Sequence, residues 1–333
     1  MPTLIVTVTV TRDQLERHLA KVVRAVRDPR AGLYGPGSLS WEVNRESVIM
    51  LGGGAAALLQ LAHPFVAHAI DQHSLTKSDP VGRFARTFGH VFAMVFGDLD
   101  HALSSARRVH QVHVRIRGRL RENVGRYARG DRYEANDEEA LLWVHATLLA
   151  TALDVYERIV RRLSDEERER YYQESKLFAY LFGIPDAVLP PAYRDFARYY
   201  EGMLESDAIA VGAPAAEMRR FLFRPPTAAH RPLSLWLEVF TAGLLPPKLR
   251  VQFGFPYGRV EREIFDRSIP ALRLAVRMAP RRLRYFPAYI EAERRVAGKP
   301  ERDPVGRMLE KLALRGLQPS RAFWEREARR GAV

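Results

Sequence analysis

The stretch HQVHVRIRG, residues 110–118, sets two imidazoles three residues apart. A second stretch, RFARTFGH at 83–90, carries two guanidiniums, a hydroxyl and a third imidazole. Neutral imidazole is the commonest protein metal ligand. A guanidinium fork holds carboxylates and other anions. A two-histidine clamp on a helix uses a spacing of four with a carboxylate beside it, as in HExxH. Here the spacing is three and no carboxylate stands between His110 and His113, so the pair does not read as such a clamp.

Helical periodicity must position these groups. Residues 99–126 read as one helix with an inward stripe of Ala102, Ala106, Val109, Val112, His113 and Ile116. That stripe puts His113 inside and His110 at its margin. The helix before it, 81–96, opens on Asp79-Pro80, an N-cap followed by proline at the first helical position. On it Arg83, Arg86, Thr87, His90 and Met94 share a face, with Phe84, Phe88, Val91, Phe92 and Val95 around the remainder. Charges on a buried helix need partners: either Asp and Glu from elsewhere, or a ligand carrying carboxylates. LGGGAAALLQLAHP, 51–64, lacks the GK[ST] ending of a phosphate loop and follows no strand. Glycine in a helix costs about 1 kcal/mol relative to alanine. Three in a row, Gly52, Gly53 and Gly54, imply close approach of a partner helix or of a flat cofactor. One buried imidazole opposite a polar stripe and a Gly/Ala-faced helix suits axial ligation of a haem iron.

The rest of the chain bounds the architecture. It has 333 residues, 47% of them hydrophobic, enough for a large core. With no cysteine, disulfides, cysteine-ligated zinc and iron–sulfur clusters are excluded. The N-terminal stretch has neither a basic n-region nor a small-residue cleavage site, so a cytoplasmic location is expected. The longest mostly apolar run, 48–62, is too short for a membrane span and suits a buried helix. Other helices are expected at 11–27, 41–73 with a break at Pro64, 137–163, 165–182, 191–204, 214–223, 233–242, 261–278 and 305–329, the last interrupted near Pro319. Strand-like alternation is confined to residues 4–10. The expectation is an all-α chain: a single large helical domain over 1–300, and a C-terminal helical extension over 301–333.

The formal charge is +13, and 46 of the 52 basic residues are Arg. The charge is spread along the chain, as on a solvated surface. Its densest part, RMAPRRLRYFPAYIEAERR at 277–295, interleaves aromatics with Arg. No nucleic-acid-binding signature accompanies it. Peripheral contact with an anionic membrane surface is compatible with it.

Several stretches together resemble one family. RESVIMLGGGAAALLQLAHPFVAHAI, DPVGRFARTFGHVFAMVFGD, HQVHVRIRG, LLWVHATL and GIPDAVLP occur in order, and FPYGRVEREIF extends them. They are similar to the superfamily of the rubber oxygenase (latex-clearing protein) and the fungal mycophenolic-acid-pathway oxygenase. The resemblance implies globin-like helix packing around a buried haem b pocket. It also implies oxidation with O₂, in the best-known members cleavage of carbon–carbon double bonds in isoprenoid chains. HVRIRG then makes His113 the proximal iron ligand. RFART makes Arg83 and Thr87 distal residues. Arg83 and Arg86 would hydrogen-bond O₂ or pair with haem propionates, and Thr87 would orient a distal water or O₂. Gly53 would lie against the cofactor. Rubber-cleaving members carry Lys where this chain has Arg86. A neutral lysine amine ligates iron, whereas guanidinium stays protonated and does not. The family's glutamate base has no match near residues 59–70, where only His63 and His68 are ionisable.

The reading is a haem-b-dependent oxygenase acting with O₂ on a hydrophobic small molecule, isoprenoid or lipid-like. Two alternatives stand beside it: a haem protein for electron transfer or storage, and a non-enzymatic Arg-rich helical protein that binds anionic surfaces. Oligomeric state stays open.

Overall fold

A computed structural model describes residues 8–74 and 80–316. About 68% of the structure is helical and the sheet among the described residues is a single two-stranded ribbon, so the chain is all-α. The helices are α1 (Arg12–Ala25), α2 (Leu39–Asn44), α3 (Gly53–Leu61), α4 (Pro64–His73), α5 (Pro80–Phe96) and α6 (Leu99–His113). Strands β1 (Arg117–Arg119) and β2 (Arg132–Glu134) follow. Then come α7 (Glu138–Ile159), α8 (Asp165–Tyr180), α9 (Tyr193–Glu205), α10 (Ala213–Leu222), α11 (Arg231–Leu244) and α12 (Pro247–Gln252). The chain continues as α13 (Arg259–Met278), α14 (Arg281–Arg284), α15 (Pro287–Val296) and α16 (Pro304–Gly316).

The starts of these helices are written locally. Thr11 and Gln14 form a capping box on α1, and Ser164 and Glu167 form one on α8. Each pair satisfies two orphan backbone donors. Pro64 breaks the long apolar segment as expected: the helical stretches Ser47–Leu61 and Pro64–His73 meet at 101°. No single helix among the described residues is long and apolar enough to cross a membrane. The bent pair is core, with Leu58, Leu59 and Leu61 all buried.

Helix α7 is the axis of the fold. Along it Trp143, Ala146, Leu149, Leu153 and Tyr156 face the largest core cluster, while Leu141 and Leu142 join a second one built on α1, α5, α6 and α8. Val155 and Ile159 face a third cluster with Phe240 and Phe265. The indole of Trp143 donates to the Leu59 carbonyl at 2.8 Å, tying α7 to α3.

Two expectations need correction. The helix predicted over 99–126 stops at His113. Residues 117–119 instead pair antiparallel with 132–134. Ile116, Gly118 and Leu120 face inward while Arg117 and Arg119 are exposed, a period of two that the alternation VRIRGRL already carries. Gly118 is required there, since a Cβ would stand 2.5 Å from the Tyr133 hydroxyl across the ribbon. The predicted strand over 4–10 lies partly outside the described residues. Its visible end makes only an isolated bridge, Thr9 to Asp137. Residues 317–333, including the predicted break at Pro319, and the Asp79 cap also lie outside the described residues.

The glycine run resolves into helix packing. A Cβ at Gly52 would stand 3.0 Å from Val155 Cγ2 and 3.3 Å from the Thr151 carbonyl on α7. At Gly54 it would stand 2.5 Å from Thr241 Oγ1 on α11. The Gly54→Ala substitution is therefore expected to destabilise the fold by about 1–3 kcal/mol, although alanine is the better helix former by about 1 kcal/mol. Adding Thr241→Ala should restore most of the loss in a urea unfolding curve. A lone Gly54→Ala as stable as the parent would remove the close-approach explanation.

Candidate functional site

Helices α5 and α6 form an antiparallel hairpin closed by Gly97 and Asp98, whose carboxylate caps α6 by accepting from the His101 amide at 2.8 Å. The closed end is buried: Met94, Val95, Phe96, Leu99, Ala102 and Leu103 enter the second core cluster. His90 on α5 meets Ser105 on α6 at 3.3 Å and sets the register. At 1.5 Å per residue, Arg86 and Thr87 lie about 5–6 Å and His113 about 12 Å from that rung toward the open end.

There the surface opens. Arg86 and Thr87 are exposed and His113, the last residue of α6, is half-buried. Val112 and Val114 on either side of it are 54% and 57% exposed. The expectation that the polar stripe of α5 is buried along its length is thus corrected: among the α5 side chains described, only Met94, Val95 and Phe96 are fully buried, in a cluster shared with α1 and the C-terminal segment. The backbone of Arg83 belongs to α5, but its side chain lies outside what the structure describes.

The order of burial on α6 also differs from the expectation. His110 is the buried imidazole, 6% exposed, and His113 is the marginal one. The buried face runs Leu99, Ala102, Leu103, Ala106 and His110, a stripe rotated away from Val112. Val112 was counted inward on the assumption that the helix continued. Since the helix ends at His113, no further turn carries that stripe into the core. Burial lowers the His110 pKa, with Arg12 adding to the effect and Glu16 opposing it.

Two further imidazoles, His63 and His68, are interior. His63 caps α4: its Nδ1 accepts from the Phe65 amide at 3.3 Å, so Nε2 carries the proton and faces the Tyr127 hydroxyl at 3.3 Å. Arg126 donates to the same hydroxyl at 3.2 Å and pairs with Glu139. Burial, aided by Arg126, pushes His63 down to about 3. His68 meets the Pro64 carbonyl through Nδ1 at 3.0 Å. Neither histidine supplies an accessible base where the glutamate is missing.

His145 was not singled out from the sequence, although it stands in LLWVHATL. It lies on α7, 5% exposed, stacked on Phe178 with ring centroids 6.1 Å apart. Neither ring nitrogen has a hydrogen-bond partner among the described residues. Burial alone pushes it down to about 4. Its signal in the sequence was the apolar company of Leu141, Trp143 and Leu149 in helical register.

Gly53 is open: a Cβ there would meet only the Met50 Cε at 3.8 Å. Two surface depressions, of about 340 and 410 Å³, are lined by residues such as Glu16 and Arg107 in one and Arg262 and Asp266 in the other. Neither borders Arg86, Thr87 or His113. Among the described residues no three His, Asp or Glu side chains converge as a metal-holding group.

Comparison with known proteins matches residues 41–281 to a family model described as ER-bound oxygenase mpaB/B′/rubber oxygenase, catalytic domain. The match contains the α5–α6 hairpin, α7 and all of α13. An uncharacterized protein of Mycobacterium bovis and one of Mycobacterium tuberculosis are each 27% identical over 249 residues, covering 71% of this chain and 92% of the relative. No solved structure matches the chain significantly.

His145 makes stability depend on pH. The unfolded chain takes up its proton near 6.5 and the folded one only near 4. The stabilising neutral form is therefore fully counted above about pH 6.5, and stability falls as pH drops from there toward 4. At about 1.4 kcal/mol per pKa unit, the loss from this residue approaches about 3 kcal/mol. His145→Phe, which keeps the stacking on Phe178, should flatten denaturant-derived stability over that window. An unchanged slope would remove His145 as its source.

Proposed function

Because the chain belongs to the mpaB/rubber oxygenase catalytic-domain family, we propose that it is a haem-b-dependent oxygenase using O₂ on a hydrophobic, isoprenoid- or lipid-like substrate. Family membership supports the oxygenase class. The observation that carries the haem reading is the open end of the α5–α6 hairpin, where a half-buried imidazole ends α6 between two exposed valines and α5, antiparallel to it, carries an exposed guanidinium and hydroxyl.

These residues fit such a cofactor chemically. A haem asks the protein for one or two axial nitrogen ligands, and His113 offers an imidazole at an accessible helix end. Val112 and Val114 offer apolar surface for the edge of a flat ring. Arg86 keeps its charge at any working pH and cannot coordinate metal; it serves as a fork for a propionate or as a hydrogen-bond donor. Thr87, one residue on, can both donate and accept. Phe88 and Phe92, half-buried further along α5, keep the inner side of the hairpin apolar and limit water there. When bound, the haem supplies the redox-active iron that oxygen chemistry needs. The missing glutamate and the Arg in place of Lys argue for a reaction whose details differ from rubber cleavage.

Titration of the purified chain with haemin, followed by visible absorption, tests this reading. His113→Ala should weaken haemin binding by about tenfold or more, or roughly 1.4 kcal/mol. His110→Ala should leave affinity near that of the parent, because His110 packs inside the α1–α6 contact. Equal losses in both variants would leave the ligand unassigned, and a loss in His110→Ala alone would move the site to the interior side of α6.

A further inference from the structure

The densest basic segment is not used by the hairpin site. It begins on α13, a helix with two apolar faces. One is buried: Phe265 packs on Phe240 at 5.3 Å, and the Trp236 indole donates to Ser268 at 2.9 Å, so α11 covers this side in antiparallel fashion. The other face carries Val260, Ile264, Ala271, Leu274 and Met278, spaced four, seven, three and four. At 100° per residue these side chains fall within one quadrant, opposite Phe265. All five are exposed, and Met278 is 75% exposed. Leu283 on α14 extends the series at 59%.

The charges beside this stripe are asymmetric. Its N-terminal half mixes signs, with Arg267 paired to Glu263 and with Glu261 capping the helix. From Ser268 to Arg284 there are five Arg and no Asp or Glu. Arg277 lies along the edge of the stripe with no partner among the described residues. Arg273 donates to the Arg158 carbonyl at 2.6 Å. Arg281 and Arg282 reach Glu293 and Asp303, yet their side chains stay 60% and 52% exposed.

We infer that the C-terminal half of α13, with α14, lies on an anionic phospholipid surface, Leu274, Met278 and Leu283 entering the headgroup boundary and the exposed guanidiniums of Arg277, Arg281 and Arg282 meeting lipid phosphates. An exposed apolar stripe of this length needs cover. A one-signed basic edge beside it selects a negatively charged cover, and an amphipathic helix parallel to the membrane plane supplies that geometry. A second copy of the chain would set arginine against arginine if the same halves met.

Sedimentation of the full chain with vesicles tests this. It should pellet with phosphatidylcholine vesicles doped with phosphatidylserine, progressively less as salt is added, and weakly with phosphatidylcholine alone. Arg277→Gln should lower the partition coefficient about fivefold, the factor that about 1 kcal/mol per surface arginine corresponds to. Met278→Asp should abolish binding with circular dichroism unchanged, and Leu274→Ser is the second variant if Met278→Asp loses helix content. Equal binding to neutral vesicles, no binding to either, or full binding by both apolar-face variants would overturn the inference. So would self-association in ultracentrifugation that Met278→Asp removes while vesicles stay unbound. The readout is binding alone, so it stands or falls independently of the haem titration.

Discussion

Helix α7 meets water chiefly at its two ends, through Glu139, Asp154 and Arg158, and the rest of the molecule is arranged to cover what lies between. Its buried side chains point in several directions, from Leu141 and Leu142 on one side to Trp143, Tyr156 and Ile159 on others. A helix apolar on all sides is stable only when neighbours cover every side. Glycines at 52 and 54 let the chain before α3, and α3 itself, come close to α7 and α11. The aromatic residues of α8 and α9 close a further side, with Trp143 stacked on Tyr200 at 5.6 Å. His145 is the exception inside this cage, an imidazole held neutral by burial.

Around the cage the large number of arginines acts partly as mortar. Glu46 is 1% exposed, and the Arg284 guanidinium holds both its oxygens, the closest contact at 2.8 Å. A buried carboxylate left without its partner costs about 3–5 kcal/mol, so this pair fixes the segment after α13 against the residues before α3. Arg295 similarly donates to the carbonyls of Arg30 and Phe96, pinning α15 beside the closed end of the hairpin. Part of the positive charge is therefore internal cross-linking. The share left over includes Arg277 on α13, which has no partner among the described residues, and the half-exposed side chains of Arg281 and Arg282 on α14.

The hairpin inherits its asymmetry from these contacts. Phe92 meets Phe286 at 4.8 Å, and Phe96 and Tyr289 pack edge to face, so the closed end is gripped from the C-terminal side. The grip stops before Arg86. Toward the other end Arg86 and Thr87 are exposed and His113 is half-buried.

Much of this was legible in the residues alone. The all-α class followed from period and the break at Pro64 from proline's missing donor. The family was readable because its motifs keep their order along the chain. Local rules failed where a choice depended on contacts distant in sequence. The end of α6 at His113 depends on Gly118 approaching Tyr133, a pairing made by residues fifteen positions apart. The burial of His110 instead of His113 depends on α1 packing against α6, where Arg107 pairs with Glu16 at 2.8 Å. The triple glycine carried its message of close approach openly, but only the packed structure names the neighbours as α7 and α11. Periodicity states which faces of a helix are apolar; which of those faces another helix covers is decided by tertiary packing, and among the described residues only one apolar face of α13 is covered.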